Sequence, residues 1–275
     1  MSNHANTLDL EWRPYDLTDG EHVVGDVRVS NEVDSPLLES SRRVVAYLPP
    51  SYETGERQYP VVYMHDGQNL FDEATSYSGE WRVDETMERL ATDGYEAIVI
   101  GVPNAGDDRR LEYTPWPHSE YGGGGADDYL EWLLASLKPA VDATLRTKPE
   151  RETTGLAGSS LGGLVSLYGY FEYPERVGCV GVLSPAFWWN DEAWFDYLEA
   201  QPSRSGRIYM DVGDSESLDD DDLNAAYLED AKATAALLES NRHEPSLRFR
   251  VDEGGRHRET AWARRFPAAV QFLLP

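Results

Sequence analysis

Short runs of β-branched residues alternate with segments of helical period along most of this chain. That alternation constrains the fold more than any other feature. The runs are Arg43–Leu48, Pro60–Met64, Ala97–Val102, Thr153–Ala157, Cys179–Leu183, Arg207–Val212 and Leu247–Val251. Between them lie the helix-period segments Trp81–Ala91, Ala126–Leu145, Leu161–Phe171, Asp191–Leu198 and Asp222–Ser240, and a last one closes the chain at about Glu259–Leu274. Strand alternating with helix predicts a mainly parallel sheet with helices on both faces. Val23–Val29 is expected to add an antiparallel edge strand. No internal repeat and no Pro/Ser-rich linker interrupts the pattern, so a single domain over 1–275 is expected, with 1–20 as a loosely packed N-terminal arm.

An open parallel sheet gathers its functional groups where strands end at their carboxyl edge. Ser160 follows the strand ending near Ala157, His65 follows Pro60–Met64, Asp214 and Glu216 follow Arg207–Val212, and His257 follows Leu247–Val251. All five are therefore expected at one edge. This convergence carries more weight than any single motif.

Composition excludes several classes. Fifty acidic residues against 24 basic give a net charge of −26, which argues against nucleic acid or an anionic membrane as partner. The basic side is three lysines (Lys138, Lys148, Lys232) and twenty-one arginines, and the acids are spread along the whole chain. A dispersed acidic surface with so little lysine suits a salt-loaded cytoplasm, where cations screen the self-repulsion. No apolar run is long enough to span a membrane, and Met1–Glu11 lacks the basic start and apolar stretch of a signal peptide, so a cytoplasmic protein is expected. The single cysteine, Cys179, reads as a small buried hydrophobe.

The stretch "TGLAGSSLGGL", residues 154–164, fits G-x-S-x-G only when centred on Ser160. A serine at a strand-to-helix elbow has strained backbone angles, and Gly158 and Gly162 let strand and helix approach. The hydroxyl needs a base to take its proton. Of six histidines, His4 and His22 are N-terminal, His118 precedes the serine in a proline-rich loop, and His243 lies at the wrong edge of the sheet. His257, in "DEGGRHRETAW", completes the order Ser, acid, His. For the acid, "DVGDSES" leaves Asp214 and Glu216 both open. The amide of Leu161, next after the serine, is one expected oxyanion donor, and the loop "HDGQN" is expected to supply the other.

Together "VVYMHDGQNLFD", "RRLEYTPW", "GLAGSSLGGLVSLY", "LSPAFWW", "VGDSES" and "GGRHRETAW" resemble one branch of the α/β-hydrolases, from about Arg43 onward. That branch includes esterase D, enterochelin esterases, feruloyl esterases and the mycolyltransferases. The segment Ser184–Gly206, where many α/β-hydrolases insert a helical lid, is short and holds one helix-period stretch, so no large lid is expected. The resemblance implies an α/β-hydrolase fold and a serine carboxylic ester hydrolase acting on a small-molecule ester without metal or cofactor. Siderophore trilactone hydrolysis and acyl transfer are the alternatives it carries. It also favours Glu216 as the acid, three residues after Gly213, with Asp214 second, and Gln68 as the second oxyanion amide. Arg109 and Arg110, in a loop after the fourth strand, and Trp188 in "SPAFWWN" are candidates for substrate contact. Trp189 beside it could wall the same substrate pocket, and both tryptophans are equally candidates for core.

Overall fold

The computed structural model describes residues 8–16, 23–35, 41–240 and 245–274. His4, His22 and His243 lie outside them, as do residues 1–7 and 17–20 of the expected arm.

The β-branched runs become strands. In order they are β1 (Trp12–Pro14), β2 (Asp26–Asp34), β3 (Ser41–Leu48), β4 (Val61–His65), β5 (Ile98–Val102), β6 (Thr154–Ser160), β7 (Cys179–Pro185), β8 (Gly206–Gly213) and β9 (Pro245–Asp252). Among the described residues they form one sheet in the order β1-β2-β3-β5-β4-β6-β7-β8-β9. The six from β5 to β9 in that order run parallel, while β1, β2 and β3 add antiparallel pairings. Every residue of β4, β5 and β7 is buried, as expected of strands covered on both faces.

Alternate residues serve the two faces. Val61 and Tyr63 of β4 point into one core, and Val62 and Met64 into the other. Helices α1 (Val83–Ala91) and α8 (Glu259–Leu273) cover the second face, contributing Met87, Leu90, Trp262, Phe266 and Val270. The first face is covered by α3 (Ala126–Glu131), α4 (Lys138–Thr144), α5 (Leu161–Glu172), α6 (Asp191–Ala200) and α7 (Asp221–Ser240). Burying one such Leu, Val or Phe side chain is worth roughly 1.5–3 kcal/mol, so both faces drive the fold.

Three expectations need correction. The strand expected at Val23–Val29 starts at Asp26, runs to Asp34, and is not the edge, because β1 pairs outside it with Trp12 opposite Ser30. Three residues, "WRP", are too few for periodicity to mark. Of the described residues of the N-terminal arm, 8–16, Leu10 is buried in the first core at 4% exposed, while most of the others are exposed. Arg109 and Arg110 lie not in a loop but at the start of a short helix, α2 (Arg109–Tyr113). The expected helix Ala126–Leu145 is present with one irregularity, a π-helical stretch at Trp132–Leu137 between α3 and α4. Pro139, with no N–H to give the preceding turn, follows directly, and widening the helix there accommodates it.

Two features position a site. The strand order reverses at β4, since the chain moves from β4 to β5 on one side and returns to β6 on the other. The loops leaving β4 and β6 therefore diverge and open a crevice at the carboxyl edge. Between β7 and β8 stand only a 3-10 turn, Phe187–Asn190, and the ten residues of α6. No large lid is built there.

Candidate active site

Ser160 is where the sheet gives way to α5. Its backbone has φ 58° and ψ −126°, a conformation L-residues rarely adopt, and Ser184 at the end of β7 also has positive φ, 43°. The glycines explain how the elbow closes: a Cβ on Gly158 would stand 2.8 Å from the Gly162 carbonyl carbon. Strand end and first helical turn touch backbone to backbone. Ser159 is buried, whereas Ser160 is partly open. Leu161 is the first residue of α5, so its N–H has no carbonyl within the helix to bond.

The loop after β4 supplies a second free amide. Gln68 sits in the 3-10 turn Gly67–Asn69, again among first-turn donors without a helical partner. A Cβ on Gly67 would meet the Gly101 carbonyl carbon at 2.5 Å, so only glycine lets this loop lie against β5. Asp66 fixes the loop through a two-pronged ion pair with Arg109 (Nε to Oδ1 2.7 Å, Nη2 to Oδ2 2.8 Å) and a bond from Asn104. Burial works against its ionisation, but the Arg109 charge and these bonds outweigh it and hold the carboxyl below its ordinary value. His65 is enclosed, bonded at Nδ1 to the Tyr129 hydroxyl (2.8 Å), and burial lowers its pKa to about 4. Asp66 and His65 therefore shape the loop. The Gln68 side chain accepts from the Asn104 amide.

Glu216 and His257 form the charged centre. His257 Nδ1 lies 2.9 Å from Glu216 Oε2, and Glu216 Oε1 accepts from the Ser184 hydroxyl at 2.5 Å and from the Gly213 amide. Asp214, the alternative acid, instead accepts from the Gly254 amide (2.7 Å) and the Ser215 hydroxyl (3.0 Å), and so ties down the loop that carries His257. The imidazole stands between two aromatic rings, Tyr227 at 4.6 Å and Trp262 at 4.9 Å. Its Nε2 faces the Tyr227 hydroxyl at 3.4 Å, and Ser160 stands near enough to that phenol to bear on its titration. Nucleophile candidate and base candidate thus share one neighbour.

Among the substrate-contact candidates, Arg109 is engaged by Asp66 and lies 5.1 Å from the centre of the Tyr113 ring. Arg110 lies over Tyr121 at 5.3 Å. Trp188 packs edge-on against Tyr227 at 5.8 Å, beside the site. Trp189 is buried and donates to the Trp116 carbonyl at 3.2 Å, so it holds a neighbouring loop. Four residues of the constellation are not singled out by the sequence: Ser184 and Trp262, which lie inside the quoted segments "LSPAFWW" and "GGRHRETAW", and Tyr227 and Arg265, which lie in none. Tyr227 reads in sequence as one more core aromatic of α7, and only the "LSPAF" turn hints that Ser184 is unusual. A separate group of carboxylates, Glu80, Asp84 and Glu85, gathers around the start of α1 with ligand atoms within 4.8 Å of one another.

A family model described as "Putative esterase" matches residues 35–273. The chain belongs to that esterase family. This esterase is 26% identical over 241 residues to the uncharacterized protein YbbA of Bacillus subtilis (strain 168), covering 85% of this chain and 92% of that one. It is 34% identical over 145 residues to a siderophore triacetylfusarinine C esterase of Aspergillus fumigatus, 50% of this chain and 48% of the relative. In fold it is similar to the crystal structure of the BES protein from Bacillus cereus, with a TM-score of 0.72 at 17% identity, covering 95% and 99% of the two chains. The esterase has the α/β-hydrolase fold and is a carboxylic ester hydrolase. Among its described residues no helix is long and apolar enough to cross a membrane.

Proposed function

We propose that Ser160, His257 and Glu216 act as a catalytic triad that hydrolyses short acyl esters through an acyl-enzyme. The observation carrying this reading is the Glu216–His257 pair at 2.9 Å, with Nε2 3.4 Å from the Tyr227 phenol that Ser160 also neighbours. Ser160 Oγ attacks the ester carbonyl while His257 Nε2 takes its proton. The Leu161 and Gln68 amides hold the oxyanion. His257 then returns the proton to the leaving alcohol, leaving the acyl group on Ser160. Water enters, gives a proton to Nε2 and attacks the acyl carbon. The carbon–Oγ bond then breaks, Nε2 passes the proton to Ser160 Oγ, and the acid leaves. Glu216 keeps Nδ1 protonated and stabilises the imidazolium throughout.

The preference for short acyl groups rests on the missing lid. A shallow cleft beside Trp188 buries little chain, and each methylene left in water forgoes ~0.8 kcal/mol. A siderophore esterase is the second reading, favoured by the 34% identity to a relative of that name. A cytoplasmic home in a salt-rich cell is proposed from the charge composition alone.

One panel tests these readings: p-nitrophenyl esters from acetate to palmitate and a catecholate trilactone, each with and without an acceptor alcohol. Acetate to butyrate should be turned over best. Efficiency climbing steadily to palmitate would remove the short-chain preference. Preferred opening of the trilactone would put the siderophore reading first, and transfer to the alcohol outrunning hydrolysis would make the enzyme an acyltransferase. In the same panel Ser160→Ala should lose on the order of 10⁶ in turnover, and Ser159→Ala should keep most of it. A fluorophosphonate should label the wild type and miss Ser160→Ala.

A further inference from the structure

Tyr227 is buried on α7, and its ring packs between His257 and Trp188. Its hydroxyl is the group nearest the chemistry that the triad does not use. It lies 3.4 Å from His257 Nε2, and Ser160 is near enough to bear on its titration. In the acylation step the leaving oxygen must come within hydrogen-bond reach of Nε2, because Nε2 protonates it, and it departs from a carbon bonded to Ser160 Oγ. A hydroxyl 3.4 Å from Nε2, on a ring packed against the imidazole, stands beside the space that this oxygen must enter. The oxyanion is held by the Leu161 and Gln68 amides, so the phenol is left to face the leaving oxygen. Burial first, then the Glu216 charge, pushes the phenol up to about 12, so it stays protonated near neutral pH and can donate.

We propose that Tyr227 is a further catalytic residue: its O–H donates a hydrogen bond to the leaving alcohol oxygen as the C–O bond breaks, which fits the site to esters of unactivated aliphatic alcohols. The inference rests on Ser160 and His257 acting as proposed above. No extra atom or electron is exchanged. The bond to the leaving oxygen breaks, its electron pair stays on that oxygen, the proton comes from Nε2, and the phenol keeps its own. Charge builds on an aliphatic alkoxide far more than on a nitrophenolate, so the donor matters where the alcohol is a poor leaving group.

The test compares kcat/KM of wild type and Tyr227→Phe on two esters sharing one acyl group, ethyl butyrate and p-nitrophenyl butyrate. Phenylalanine keeps the ring against His257 and removes only the oxygen. The ethyl ester should lose about 10- to 100-fold, the scale of one catalytic hydrogen bond, and the aryl ester less than about threefold. Fluorophosphonate labelling, which expels fluoride, should proceed at the wild-type rate and report that Ser160 and His257 are intact. Equal losses on both esters, or lost labelling, would reduce Tyr227 to a packing residue, and no change on either would leave it without a role. Either outcome overturns the proposal. Failure of the triad itself reads differently, as activity surviving in Ser160→Ala.

Discussion

The two oxygens of Glu216 have different duties. Oε2 serves His257, while Oε1 is held by the Ser184 hydroxyl, which itself accepts from Trp262 Nε1 (3.0 Å) and Arg265 Nη2 (2.7 Å). Burial alone would raise this carboxyl. The bonds from His257, Ser184 and the Gly213 amide outweigh it, and the acid stays below its ordinary value. A depressed carboxyl contributes stability that is present above its unfolded pKa and lost as pH falls through the folded one. Near neutrality the acid is therefore charged and fixed in direction. Glu216→Gln should lower turnover of p-nitrophenyl butyrate by roughly 10³ to 10⁴, since the wrong imidazole tautomer is then favoured. Asp214→Asn keeps an acceptor for Gly254 and should cost less than about tenfold. The reverse ranking would move the acid to Asp214. The sequence left these two open for a physical reason: two residues apart after one strand, both reach the carboxyl edge. Only the path of the loop back to Gly254 separates their partners.

At the scale of an element, α1 carries the clearest conflict. Acids in a first turn favour the helix dipole, and one oxygen of Asp84 accepts from the Val24 amide at 2.8 Å. The buried Asp84 nonetheless shares its space with Glu80 and Glu85. Burial, then the neighbouring Glu85, raises Asp84 from 3.8 to about 8, and Glu80 rises to about 7. Folded Asp84 thus holds a proton that the unfolded chain has released, and its contribution to stability is lost as pH rises from the unfolded value to about 8. Asp84→Asn removes the charge and keeps an acceptor for Val24. Its melting temperature relative to wild type should climb between about pH 5 and about pH 9, whereas parallel curves would show that Asp84 titrates normally. Elements with strong periodicity were legible: the central strands, α5, α7 and α8 fall within a few residues of expectation. Those that were missed are short or set by packing. β1 has three residues and α2 five, and the π-helical stretch answers to Pro139 rather than to hydrophobic spacing.

For the whole molecule, the surplus of acid governs the response to salt. Buried pairs such as Arg42–Glu112 (2.5 Å) and Arg265–Asp211 (3.1 Å) lie out of reach of counterions. The remaining carboxylates repel one another across a compact surface, over ~10 Å at 0.1 M salt but only ~3 Å at 1 M. Melting temperature and esterase activity should both rise towards molar KCl, and a melting temperature indifferent to salt would remove the halophilic reading while leaving the chemistry untouched. The order of the strands has a consequence of another kind. The proposed nucleophile Ser160 and the proposed oxyanion amides of Leu161 and Gln68 belong to the first 161 residues, whereas His257 and the Trp262 and Arg265 that brace its partner follow well after them. Because a polypeptide is made from its N-terminus and folds as it emerges, the ribosome displays a finished elbow long before it displays a base. On the proposed mechanism a half-made molecule therefore carries a nucleophile without its base, and hydrolysis begins only when α8 closes the second face.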